Sequence, residues 1–267
     1  MKNIITIIIA LLVTVATAWY QRISGPTYPL RVNTVIGGNV LKFKLPRSHV
    51  STSSCDVRIP ADNKIVKASI VFKRFPVNEA WDTIPMQKVG NELVGLLPAQ
   101  PPAGKLQYFL ILQGSSETKV LDQNTAIIRF RGDVPAWVMI PHIIFMFLAM
   151  LLSNLAGLQA AFKLNRARYY TFATVICMFI GGMIFGPITQ KYAFGEFWTG
   201  FPFGWDLTDN KTLIALLVWI VAMVLNLRKP RPVWIIIAAL VTLLVYGIPH
   251  SMMGSELDYS TGTVTTG

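Results

Sequence analysis

The sequence predicts a membrane all-α helical bundle of four spans plus an N-terminal anchor or signal peptide, into which an all-β extracytoplasmic domain is inserted. Of 267 residues, 53% are hydrophobic and only 14% are charged, whereas soluble domains average about 25% charged. The apolar residues are concentrated at the N terminus and after Pro135. The polar stretch between them, residues 21–135, has the pattern of short strands. These observations argue against a soluble globular chain and against a disordered one.

The first apolar run, residues 4–20, has two interpretations. An A-x-A sequence at residues 16–18 is typical of a signal peptidase site, which favours a cleaved signal peptide over residues 1–20. Trp19 and Tyr20, followed by a basic residue, are typical of an interfacial belt, which favours a retained transmembrane anchor. Either interpretation places the polar stretch outside the cytoplasm.

Four later runs are long enough to cross about 30 Å of hydrocarbon as helices, and none contains Lys, Arg, Asp or Glu. They are Ala136–Phe162, Thr171–Ile188, Thr212–Leu225 and Val233–Ile248. We therefore assign residues 136–259 to a four-helix transmembrane domain with an aromatic outer loop over 187–211. The polar residues 260–267 are expected to form a flexible tail.

Charge on the connections predicts the orientation, because Lys and Arg are retained on the cytoplasmic side. Residues 163–168 and 228–231 carry six basic residues and no acid, whereas the acids lie in the loop 187–211 and near the C terminus. This pattern predicts an integral protein of the bacterial inner (cytoplasmic) membrane, with the β domain and C terminus on the periplasmic side. The lipid bilayer is then its first partner.

The formal net charge of +11 would by itself allow a nucleic-acid partner. Six of these charges are the cytoplasmic orientation signal. Residues 21–135 carry 15 basic and 8 acidic residues, and 15 − 8 leaves +7 on the outer domain. We therefore expect no nucleic-acid partner.

The outer domain is predicted to be a small antiparallel sandwich of immunoglobulin or fibronectin type III style. Residues 32–36 and 40–45 flank Gly37-Gly38-Asn39, which predicts a hairpin. Further strands are expected at 67–75, 106–112 and 125–130, separated by turn-forming residues. Such a domain favours a binding or assembly subunit that contacts another envelope protein or polymer.

Two histidines are candidate site residues. His142 follows Pro141 near the outer end of the first of the four spans, and His250 follows Pro249 at the outer end of the last. Topology therefore places both at one membrane level, where ionisable residues are functional candidates. The competing interpretation is that one local hydrogen bond satisfies each histidine. The alternatives are a haem b held by two axial histidines, a divalent metal, and a proton or quinone role.

The loop 187–211 carries seven aromatic residues within fourteen positions, 192–205. We expect it to lie on the outer leaflet or to dip into it, or else to pack the outer domain onto the bundle. The candidate pocket-lining residues are Trp198, Phe201, Phe203 and Trp205.

Acidic residues at the outer face complete the candidate site. Thr208 or Asp209 is expected to cap the following helix, which leaves Asp206 without an assigned role. Asp206, Glu256 and Asp258, together with His250, are candidate ligands for Zn²⁺ or another divalent ion. A weaker alternative is a membrane hydrolase or transferase that uses Asp206 and Glu256 as acid and base.

Overall fold

A computed structural model describes residues 2–63, 65–249, 252 and 254–265. It shows a mixed α/β chain, with helices before and after a β region over residues 30–131. The helices are α1 (Lys2–Ser24), α2 (Ala136–Ala161), α3 (Ala167–Phe194), α4 (Leu207–Leu225) and α5 (Pro232–Gly247). The four from α1 to α4 are long and apolar enough to cross a membrane.

Three helix boundaries differ from the predicted spans. Helix α3 continues past Ile188 to Phe194 and ends before Gly195, whose positive φ suits the residue after a helix. Helix α4 begins at Leu207, so its first turn is polar and is missed by a search for uncharged runs. Helix α5 has 16 residues and is about 24 Å long at 1.5 Å per residue, which is shorter than a hydrocarbon core of about 30 Å.

Helix α2 is the centre of the bundle, where it packs against α1, α3 and α5. The facing residues are small: a Cβ on Gly157 would lie 2.6 Å from the Cβ of Ala239, so α2 and α5 approach closely. Buried polar contacts join α1 to α2. Asn154 Nδ2 donates to Thr14 Oγ1 at 3.0 Å, and Gln159 Nε2 donates to Thr6 Oγ1 at 3.2 Å. Helix α1 is thus part of the packed bundle.

Eleven strands form three sheets in the β region. The strands are β1 (Leu30–Ile36), β2 (Asn39–Leu45), β3 (Ser48–Val50), β4 (Cys55–Pro60), β5 (Ile65–Phe75), β6 (Asp82–Pro85), β7 (Gln87–Val89), β8 (Glu92–Leu97), β9 (Lys105–Gly114), β10 (Thr118–Val120) and β11 (Ala126–Arg131). Their order is β1-β2, β4-β8-β7 and β3-β11-β9-β5-β6, with β10 paired to β9. Inward residues of all three sheets share one core, for example Val32, Val57, Ile70 and Leu110.

The predicted hairpin is confirmed: β1 and β2 pair antiparallel with Ile36 opposite Asn39. Gly37 and Gly38 both have positive φ, as a tight two-residue turn requires. The predicted strands at 67–75, 106–112 and 125–130 correspond to β5, β9 and β11. One pairing differs from the antiparallel expectation, because β3 runs parallel to β11 over Arg129–Arg131.

The C-terminal segment folds back onto the β region. Strand β12 (Glu256–Leu257) pairs with β13 (Val264–Thr265). Lys105 N donates to the Tyr259 hydroxyl at 2.9 Å. Residues 260–265 of the tail that is predicted to be flexible therefore form part of a hairpin. The contact of Tyr259 attaches this hairpin to the β region.

Candidate functional site

Four charged side chains are buried together where the helices meet the β region. They are Arg129 on β11, Asp206 before α4, and Asp209 and Lys211 in its first turn, with exposed fractions of 7%, 5%, 8% and 4%. We call this group the junction cluster. Its formal charges sum to zero. Charged side chains are almost never fully buried unless they have partners, so the partners of each member indicate what the cluster does.

Asp206 joins the loop, helix α4 and the C-terminal segment. Its carboxylate accepts hydrogen bonds from Thr208 N at 2.8 Å, from Ser255 N and Oγ at 3.1 Å each, and from Thr199 Oγ1 at 3.2 Å. Asp206 is therefore the N-cap of α4. The predicted caps, Thr208 and Asp209, are wrong because the helix begins one turn earlier than its apolar run.

Asp209 holds the aromatic loop from the first turn of α4. It accepts from Thr199 N at 2.7 Å, while Thr199 Oγ1 also lies 3.3 Å from it and contacts Gln190. The next residue, Asn210, accepts from Phe201 N at 2.7 Å. The polar first turn thus organises the backbone of the loop.

Arg129 is the least satisfied member of the cluster. Its Nη2 donates to the carbonyl of Ser255, and its guanidinium carbon lies 3.9 Å from the centre of the Phe194 ring. Its Nε is buried without a hydrogen-bond partner. Among the described residues, no carboxylate oxygen lies within 4.0 Å of its nitrogens. Burial lowers the pKa of Arg129 to about 10, opposed by the charges of Asp206 and Glu256.

His142 is held by helix α3. Its Nδ1 lies 2.9 Å from the carbonyl oxygen of Gly181, in the π-helical segment Phe179–Phe185. A π-helical turn displaces carbonyls from the regular α-helical pattern, and such turns are frequent at functional sites. Because a carbonyl only accepts, Nδ1 carries the proton, and Nε2 of the neutral ring presents a lone pair. No second hydrogen bond to His142 is found among the described residues.

Two cavities meet at His142. The first, which we call the junction cavity, has a volume of about 150 Å³ and is lined by Arg129, Asp206 and Asp209 among others. The second, which we call the helix groove, has a volume of about 430 Å³ and runs between α1 and α2. Three residues line both of them: His142, Met146 and Thr189. The hydroxyl of Thr189 is buried and unpartnered.

The structure brings only some of the predicted site residues together. His142, Asp206, Thr208, Asp209 and Trp198 line the junction cavity. Phe201, Phe203 and Trp205 do not line it. They are 62%, 77% and 74% exposed.

The three predicted metal ligands that the structure describes, Asp206, Glu256 and Asp258, do not gather into one group. Glu256 forms an ion pair with Lys105, and Asp258 accepts from Ser260 N at 2.8 Å within its own turn, where hydrogen bonds with Ser260 lower its pKa. His250 lies outside the described residues. Within the part of the chain that is described, no group of three or more His, Cys, Asp or Glu side chains could hold a metal ion. The carboxylates of the expected acid and base, Asp206 and Glu256, are likewise engaged by other partners.

Sequence reasoning missed five residues of this site: Arg129, Thr189, Gln190, Thr199 and Ser255. Arg129 does carry a signal, since it lies between the apolar residues Ile128 and Phe130 within the strand AIIRFR. Gly254 lies beside Arg129 in the structure. A Cβ at position 254 would lie 3.0 Å from Arg129 Nη1, which favours glycine there. Comparisons of the chain with protein-family models, with curated proteins and with solved structures gave no match.

Proposed function

We propose that this chain is an integral membrane protein that binds a small neutral molecule in the junction cavity, as a binding or assembly subunit of the cell envelope. The observation that carries the proposal is a set of unpartnered polar atoms at that cavity. They are the Nε–H of Arg129 and the hydroxyl of Thr189, together with the Nε2 of His142. Buried polar groups are nearly always hydrogen-bonded, so a ligand that satisfies these three would be favoured.

The membrane orientation is supported by the charge at each end of the bundle. The basic residues of 163–168 and 228–231 lie together at the end away from the β region, where Arg168 Nη2 donates to the carbonyl of Leu227 at 2.6 Å. The exposed aromatic residues of the loop lie at the opposite end. Basic residues inside and aromatic belts at the interface are the expected pattern. We therefore propose a bacterial inner membrane, with the β region and C terminus in the periplasm.

The retained anchor is the interpretation of α1 that we propose. Its buried hydrogen bonds to Asn154 and Gln159 on α2 would both be lost on cleavage. For the β region we propose an immunoglobulin- or fibronectin-like sandwich, supported by the single core that its sheets share. Another envelope protein or polymer remains the proposed partner of its surface.

The chemistry of the ligand follows from the cavity. The junction cluster carries no net formal charge, so a neutral ligand adds no unbalanced charge to a buried site. A cavity of this volume admits a molecule the size of benzene in other proteins. Arg129 Nε–H donates and His142 Nε2 accepts, whereas the Thr189 hydroxyl can do either. A ring bearing a hydroxyl group matches all three, and phenol is the simplest probe.

The test is phenol binding to the purified full-length protein in phosphatidylcholine nanodiscs, measured by saturation-transfer NMR. We expect a dissociation constant in the millimolar range, since a ligand of this size gains only about 4 kcal/mol. His142→Asn retains a donor for the Gly181 carbonyl but removes the acceptor Nε2, so binding should fall about tenfold. The control is His49→Asn, on β3, because His49 contacts Ser53 and does not line the cavity. Equal phenol binding by wild type and His142→Asn would overturn the proposal.

A haem or metal protein is the second candidate, favoured by the state of His142. An imidazole that donates from Nδ1 to a backbone carbonyl is oriented for ligation through Nε2. The test is an absorption spectrum of the protein after reconstitution with haem b. A Soret band that disappears in His142→Asn would support this candidate, and a spectrum without such a band would exclude haem.

A further inference from the structure

We propose that the ligand is a phenol or quinol head group carried on a long apolar chain, with the head group in the junction cavity and the chain in the helix groove. This inference rests on the proposed function, because it requires the head group to bind in the junction cavity. It adds that the rest of the ligand is a long apolar chain and that this chain lies in the helix groove.

Continuity between the two cavities is the first step. His142, Met146 and Thr189 line both, so these three side chains form the boundary that a ligand would cross. Two of them carry the unpartnered polar atoms that would bind a hydroxyl group. The third, Met146, has a flexible thioether side chain, which adapts readily to a neighbouring molecule. A head group bound at His142 would therefore have its substituent directed towards the groove.

The groove is suited to a chain rather than to a second polar group. Its volume of about 430 Å³ lies in the range of small-molecule sites. Most of its wall is apolar and comes from α1 and α2: Ala18, Met139, Ile143, Met146, Phe147 and Met150. Ile143 and Phe147 are exposed at 44% and 49%, so this wall faces the surroundings of the bundle. An apolar chain could enter from the hydrocarbon layer without passing through water.

Charge favours a phenol or quinol over a phospholipid. A phosphate in the junction cavity would leave the junction cluster, now formally neutral, with a net negative charge in a buried site. Among the described residues, Arg22 is the one charged residue that lines the helix groove. Its guanidinium carbon lies 5.6 Å from the centre of the Tyr28 ring. A lipid phosphate at Arg22 is the competing occupant, and the experiment includes it.

The experiment locates the chain by photo-crosslinking. The probe is hydroquinone with a decyl chain that carries a diazirine midway, added to the full-length protein in phosphatidylcholine nanodiscs. We expect labelled peptides from residues 18–27 and 139–150. Ile143→Trp fills the groove and should lower labelling about tenfold. The matched control is Ile144→Trp, since the adjacent Ile144 is similarly exposed but does not line the groove. Labelling of this control should equal wild type.

The outcomes separate this inference from the proposed function. If wild type binds phenol but the diazirine labels all helices evenly, the chain does not lie in the groove and only this inference fails. If wild type does not bind phenol, the proposed function fails with it. Addition of excess phosphatidylglycerol tests the phospholipid. Loss of labelling in its presence, with no loss on adding unlabelled decylhydroquinone, would overturn the assignment to a quinol.

Discussion

The β region and the junction cluster both exclude water, but they bury opposite kinds of side chain. In β4 the buried residues are Cys55, Val57 and Ile59, which alternate with exposed ones, so burial follows the two-residue period of a strand. At the junction, buried charges come from two distant parts of the chain, β11 and the start of α4. An apolar core needs only shape and volume, whereas a buried charge needs a specific partner for each polar atom. At the junction, polar atoms that lack a partner therefore indicate where a ligand would bind.

The junction cluster, together with the neighbouring cavity residue Thr189, divides into a part whose polar atoms have partners and a part whose polar atoms lack them. The carboxylate of Asp206 accepts four hydrogen bonds, and Asp209 is bonded to the backbone of the loop. Across the cavity, Arg129 Nε and Thr189 Oγ1 have no partner. We infer that the first part maintains the structure and the second part binds. The predictions below test this division and the contrast with the β region.

The largest effect is expected for Asp206→Ala. The substitution removes the acceptor for three residues and leaves Arg129 without the nearby negative charge that offsets its burial. Removal of one member of a buried charged group costs about 3–5 kcal/mol. We expect a matching fall in the free energy of unfolding, measured by chemical denaturation in detergent. Asp206→Asn, which keeps the shape and one carbonyl oxygen, should cost less, about 1–3 kcal/mol. Equal stability of Asp206→Ala and wild type would contradict the structural role.

A pH effect of intermediate size is expected in the β region. Burial raises the pKa of Cys55 from 9.0 to about 11. Between these values the unfolded chain loses the thiol proton while the folded chain keeps it, so the unfolded state binds fewer protons. Stability contributed by this thiol therefore falls as the pH rises from 9 to 11, by about 2 kcal/mol.

The measurement compares the denaturation midpoints of wild type and Cys55→Ala at pH 8 and pH 11. Other groups also titrate in this range, so only the difference between the two proteins reports on Cys55. A wild type whose stability declines no more than that of Cys55→Ala would show that the thiol is accessible to water.

Features that depend on residues close together in the sequence could be predicted. The hairpin at Gly37-Gly38 depends on local turn geometry, and the positions of the apolar helices depend on composition over about twenty residues. The prediction of the α4 cap is wrong because the uncharged run begins at Thr212, whereas the helix begins at Leu207. The polar residues at 208–211 belong to its first turn, and the true cap, Asp206, lies one residue before the helix.

The site could be predicted only in part, because its contacts join distant residues. His142 was identified from its apolar surroundings, and it does line the junction cavity. The role of Arg129 depends on Ser255, 126 positions away, and on Phe194 from α3. No local pattern encodes such a meeting. Glu256 and Asp258 are close to His250 in sequence, but Glu256 pairs with Lys105 of the β region and Asp258 accepts from Ser260 within its own turn.

The smallest change in stability is expected for Thr189→Val. Its comparison with Thr199→Val separates the structural part of the junction from the binding part. Thr199 Oγ1 contacts Asp206, Asp209 and Ser255, so Thr199→Val should cost about 1–3 kcal/mol by leaving buried acceptors unsatisfied. Thr189 Oγ1 has no partner, so Thr189→Val, which replaces an unpaired hydroxyl by a methyl group, should change stability by no more than about 0.5 kcal/mol. Phenol binding should nevertheless weaken severalfold in Thr189→Val, because the ligand loses a hydrogen bond worth about 1 kcal/mol. Destabilisation of Thr189→Val to the same extent as Thr199→Val would mean that the Thr189 hydroxyl has a structural partner. The division of the junction into a structural part and a binding part would then be wrong.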